Sequence, residues 1–231
     1  MTATIFLGFL AFMAVVIVAL AARYLPRWTL LVMLAGLPLW LLYVGALSYF
    51  GVVRNPALRP PGAALIFLPV FLFVFLFLAR SSAGRRIALA FPLWVILGTQ
   101  SFRVGVELFL HQLWVNGLAP RMLTYEGGNA DILIGATAPL MAWLSTKGRP
   151  GMRLALLWNA LGLLSLANVA FRAMMTAPGR LNFIHAEVPN TAIGTFPFTY
   201  IAGFFAPLAL ALHVLAIRAL RMRYMRQNLS D

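Results

Sequence analysis

The chain has 231 residues, 62% of them hydrophobic and 10% charged, with a mean hydropathy of +0.90, which leaves too little polar surface for a soluble globule. The formal net charge of +13 does not indicate nucleic acid, because most of the basic residues sit at the ends of apolar runs, where they set topology and meet anionic lipid headgroups. With no cysteine, disulfides, thiolate metal sites, iron–sulfur clusters and thioether-linked haem are excluded.

The apolar runs predict an all-α polytopic membrane protein. A single transmembrane domain over residues 1–231 contains seven helices, near 3–22, 29–50, 62–79, 87–116, 130–146, 153–175 and 195–217. In the first run Ala19, Leu20 and Ala21 imitate a signal cleavage site, but no Lys or Arg precedes Arg23, so an uncleaved helix is expected. Leu37-Pro38-Leu39-Trp40 in the second helix is echoed by Phe91-Pro92-Leu93-Trp94 in the fourth. Helix three, Phe67 to Phe77, carries no polar side chain on any face, which suits the lipid boundary and excludes it from a site. Lys and Arg alternate between the two sides. Twelve lie on the side of Arg23 and the tail Arg218, Arg221, Arg223 and Arg226, whereas Arg54, Arg59, Arg121 and Arg180 lie opposite. The N-terminus is therefore expected outside and the C-terminus in the cytoplasm. The tail arginines read as the solvated end of helix seven.

The two remaining arginines, Arg103 and Arg172, fall inside helices. In helix four Gln100, Arg103, Glu107, His111 and Trp114 recur every three or four residues and form one stripe. Ionisable groups at membrane depth cost roughly 2.5 to 3.5 kcal/mol each on insertion scales, so they pair or line a cavity. Counted from Ile87, Glu107 lies roughly 30 Å along the helix, near its outer end. Helix six carries Ser165, Asn168 and Arg172 at matching depth, which makes a Glu107–Arg172 or Glu107–Arg103 pair possible and leaves the pocket net positive. The outer loops add Glu126, Asn129 and Asp131, then His185, Glu187 and Asn190; the fifth acid is Asp231. For Asn129 and Asp131 the simpler reading is a cap and a first-turn acid of helix five.

Three readings follow. The polar stripe holds helices together. Alternatively, Gln100, Arg103, Glu107, His111, Asn168 and Arg172 form an outward-facing pocket between helices four and six that binds or transports a small or lipidic molecule, with Glu107 and His111 exchanging a proton. In the third, Glu107 and His111 are catalytic in a membrane-embedded hydrolase acting on a lipid-like substrate. They act either directly as acid and base or as ligands of a divalent metal completed by His185, Glu187 or Asp131. A retinal Schiff base is excluded because the sole lysine, Lys147, lies in a loop. His111 and His213 fall too far apart in depth to share a haem, so a haem would need His111 with the loop residue His185, and His213 reads as a packed or capping group.

The stretch FRVGVELFLHQL from Phe102, followed by LTYEGGNADILIGATAPL ending at Leu140, resembles a family of small multi-pass bacterial membrane proteins of unassigned function. The resemblance extends through Trp158-Asn159 and FAPLALALH, ending at His213. It implies a location in the bacterial cytoplasmic membrane and no activity.

Overall fold

A computed structural model describes residues 3–179 and 182–229, with side chains up to Met225. Arg180, Asp231 and the Arg226 side chain lie outside that set. Among the described residues the structure is helical, with no strand: α1 (Ala3–Tyr24), α2 (Arg27–Tyr49), α3 (Ala64–Phe71, continued as a π-helix over Leu72–Leu78), α4 (Ser82–Ala90), α5 (Leu93–Thr99), α6 (Phe102–Val115), α7 (Asp131–Leu144), α8 (Gly148–Met175) and α9 (Ala206–Leu229, preceded by a π-helix over Ile201–Phe205). Five helices are long and apolar enough to cross a bilayer: α1, α2, the Leu93–Val115 pair, α8 and the last one. A sixth candidate is broken, because α3 and α4 meet at 81°. α7 is apolar but has 14 residues, roughly 21 Å of rise against a hydrocarbon core of roughly 30 Å.

Helix four departs from the expected single run over 87–116. Phe91 precedes a proline, which disfavours helical backbone, and it is extended with ψ 137°. Pro92 then opens α5, as its preset φ suits a helix start. The residues before the break belong to α4, so the span begins at Leu93 and Glu107 lies 14 residues along it, roughly 21 Å. A second irregularity lies at Gln100 and Ser101. There Thr99 donates to the Val95 carbonyl and Ser101 to that of Gly98, side-chain bonds that compete with the helical ladder.

The Leu93–Val115 span is the centre of the bundle, with 61% of its most apolar window buried against 11% for α2. α1 meets it through Phe6, whose ring stands edge-on to Phe109 at 5.1 Å and contacts Phe198 and Phe205. α2 is pinned to the π-helical entry of α9. Trp40 donates to the Gly203 carbonyl at 2.7 Å, and Tyr200 donates to that of Leu41 at 2.8 Å. α3 is one-sided: Ile66, Val70, Val74 and Leu78 are buried, while Leu68, Phe71, Phe73 and Leu76 are exposed.

The tail arginines are not simply solvated. Arg218 donates to the carbonyls of Leu78 and Ser81, and Arg223 to that of Phe91. The Leu78 and Phe91 carbonyls lie at the C-terminal ends of the α3 continuation and of α4, whereas the Ser81 carbonyl also accepts from the Arg85 N–H.

Candidate functional site

α6 and α7 approach so closely that a Cβ on Gly135 would come within 2.8 Å of the Val104 backbone nitrogen. This contact brings Arg103 to Asp131, one turn before Gly135. The Arg103 Nη2 to Asp131 Oδ1 distance is 2.5 Å, with the two side chains 3% and 10% exposed. Asp131 is thus in the first turn of its helix, as expected, but it is also a buried counter-ion. Its Oδ1 further accepts from Ser165 Oγ on α8 at 2.5 Å. Asn129 does assist the start of α7, since its Oδ1 accepts from the Asp131 backbone N–H. Its amide nitrogen donates to Glu107 Oε1 at 2.6 Å and to the Leu123 carbonyl at 2.9 Å.

On its other side Arg103 donates from Nη1 to His213 Nε2 at 2.7 Å. A guanidinium has no acceptor, so Nε2 accepts and Nδ1 carries the proton given to Asn159 Oδ1 at 2.9 Å. Asn159 in turn donates to the Ala155 carbonyl. His213, read above as a packed or capping group too far from His111 in depth to share a haem, is therefore a direct partner of Arg103. Gly162 makes the room, because a Cβ there would run into the imidazole ring. One network, Asn159–His213–Arg103–Asp131–Ser165, ties α6, α7, α8 and α9 together.

The other expected ligands separate. Arg172 does not reach Glu107 and donates instead to the carbonyls of Met122 and Gly127, both at 3.1 Å, where it braces the 116–130 loop. His111 lies outside the cavity described next. It stacks on Tyr125 and approaches Glu126 Oε1 at 3.5 Å. Asn168 is half-buried, and its side chain hydrogen-bonds to no described residue. Gln100 is buried and donates only a long 3.4 Å bond to the Ala209 carbonyl. His185 is exposed, and Glu187 accepts from the Arg121 N–H. Among the described residues no three His, Asp or Glu side chains come close enough to hold a metal, so Glu107, His111 and His185 do not form the expected triad.

A cavity of about 90 Å³ lies beside the network. Arg103, Glu107 and Asp131 form part of its wall, and Leu110, Leu166, Val169, Phe198 and Ile201 are among the apolar remainder. It extends beyond the interface of helices four and six, because Phe205 and Ala209 of the last helix and Phe67 of α3 also line it. Helix three therefore contributes, contrary to its expected exclusion. Five buried polar atoms of the stripe have no hydrogen-bond partner among the described residues: Arg103 Nη2 and His111 Nδ1, which make the ion-pair contacts above, and Gln100 Oε1, Arg103 Nε and Glu107 Oε2. With Arg172 diverted, two carboxyl groups face one guanidinium along the wall, so the expected net positive pocket is not formed.

Residues 60–221 match the family described as a domain of unknown function, DUF8737, and the chain belongs to that family. Every residue of the network falls within the matched region. No curated protein and no solved structure matches the chain.

Proposed function

We propose that this protein is a bacterial inner-membrane protein that binds or moves a small or lipidic molecule through the cavity beside Glu107. The observation that carries the reading is the wall itself. A buried carboxyl group, half-satisfied by Asn129, and a buried Arg103–Asp131 pair stand beside apolar side chains around a space of about 90 Å³. Leaving buried polar atoms unsatisfied costs about 1–3 kcal/mol each, and a molecule with matching donors and acceptors recovers that cost. A protonatable carboxyl at the wall also supplies a means of coupling occupancy to proton transfer.

Seven crossings are the arrangement we favour, with α3–α4 as one bent span and α7 as a short one, the N-terminus outside and the C-terminus in the cytoplasm. The alternation of basic residues supports it. In this orientation the 116–130 loop and residues 182–200, and with them the cavity, lie toward the outside. No observation favours the hydrolase over binding. The test is native mass spectrometry of detergent-purified wild type beside Glu107→Gln: a small molecule should be carried by the wild type and lost from the variant. Equal occupancy in both would remove Glu107 from the site.

A further inference from the structure

A second cavity, of about 270 Å³, lies among the loops. It is lined by the 53–63 connection, by Ala177–Gly179 and by residues 190–194, and includes Arg54, Asn55 and Thr191. Asn190 and Ile193 line both this cavity and the inner one beside Glu107. The two spaces therefore meet at these two residues.

Those two side chains differ in how firmly they are held. Asn190 is buried and anchored twice, its backbone N–H on the Thr176 carbonyl at 2.9 Å and its amide on the Ala173 carbonyl at 3.0 Å. Ile193 is half-buried, and the backbone on either side of it is fixed: the Ala192 N–H bonds to Leu118, and Gly194 is packed under the Arg54 side chain. Its own side chain is apolar and has no polar tether, so a change of rotamer breaks no hydrogen bond.

We propose that the inner cavity fills from the loop face, with the outer cavity as its vestibule and Ile193 as the stopper, and that its ligand is a small water-soluble molecule rather than a lipid. The route supports this choice: the vestibule offers the side chains of Arg54, Asn55, Asn190 and Thr191, and Arg103, Glu107 and Asp131 stand among mostly apolar side chains at the far end of the same path.

The proposal rests on the binding function above, and the test separates the two. The chain has no cysteine, so a single introduced thiol reports alone. Val106→Cys places a thiol on the inner cavity and Ala177→Cys places one on the vestibule. Each variant in proteoliposomes is treated with water-soluble, membrane-impermeant 2-(trimethylammonium)ethyl methanethiosulfonate, and separately with membrane-permeant N-ethylmaleimide. Both thiols should react with the soluble reagent, the vestibule one faster. Adding Ile193→Trp should slow the Val106→Cys reaction at least tenfold and leave Ala177→Cys within twofold. Adding Ile193→Ala should accelerate the inner reaction, and it provides the readout if the tryptophan variant does not fold. Inner rates insensitive to Ile193 would overturn the route. If the maleimide alone reacts at Val106→Cys, the site loads from the bilayer and only the route falls. If neither reagent reaches it while Ala177→Cys reacts, the cavity is sealed and the binding function falls as well.

Discussion

Asp131→Asn removes one charge and little volume from the interior. The cost follows from what is left behind: an Arg103 guanidinium whose side chain is 3% exposed and whose charged partner is gone. Removing one member of a buried pair costs about 3–5 kcal/mol, mostly as the penalty of the charge left unpaired. For a chain of this size each kcal/mol moves the unfolding midpoint by about 2–4 °C, so a fall of about 6–20 °C is expected. The assay is thermal unfolding in mild detergent, followed by tryptophan fluorescence. Arg103→Met with Asp131→Leu should recover most of that loss, since an apolar pair of similar volume frequently replaces a buried ion pair at no cost. A midpoint for Asp131→Asn within 2 °C of wild type would refute the buried-pair account, as would a double variant no more stable than the single one.

Gly162→Ala should destabilise by about 1–3 kcal/mol, because the added Cβ displaces the His213 ring from Arg103 and Asn159; denaturant midpoints measure it. Arg172→Ala should leave the α6–α7 pair intact and loosen the loop it braces, seen as amide exchange about tenfold faster or more across 121–129. His111→Ala should cost about 0–1 kcal/mol, the scale of a partly exposed pair, and should leave substoichiometric metal content unchanged by elemental mass spectrometry.

The all-helical class with several apolar spans and the burial of Arg103 and Glu107 were legible in the sequence, because ionisable groups in an apolar helix stand out against composition. The partners were less so. Asp131 looked like an ordinary first-turn acid, and nothing local distinguishes such an acid from one that a neighbouring helix has covered. Gly135, whose missing Cβ permits that covering, was the one available sign. The depth of His213 was compared only with His111, whereas its partner Arg103 lies about two helical turns before His111. The real chain inserts a break at Pro92 and a π-helical stretch at Ile201–Phe205, and these change which residues share a level. The same break explains why helix 87–116 divides between two elements. His111 and Arg172 sat at correct helical spacing, but spacing places a residue on a face without deciding whether a loop claims its side chain. Tyr125 and Glu126 claim His111, and the carbonyls of Met122 and Gly127 claim Arg172.

The central claim is that Glu107 contributes to a ligand site, and a thermal-shift screen of small water-soluble amines, carboxylates and polyols against wild type and Glu107→Gln tests it most directly. A ligand at a hundred times its dissociation constant stabilises by about 2.7 kcal/mol, about 5–11 °C on the scale used above. The account predicts at least one compound that raises the wild-type midpoint by that amount and leaves Glu107→Gln unmoved. No shift with any compound, or equal shifts in both proteins, would contradict it.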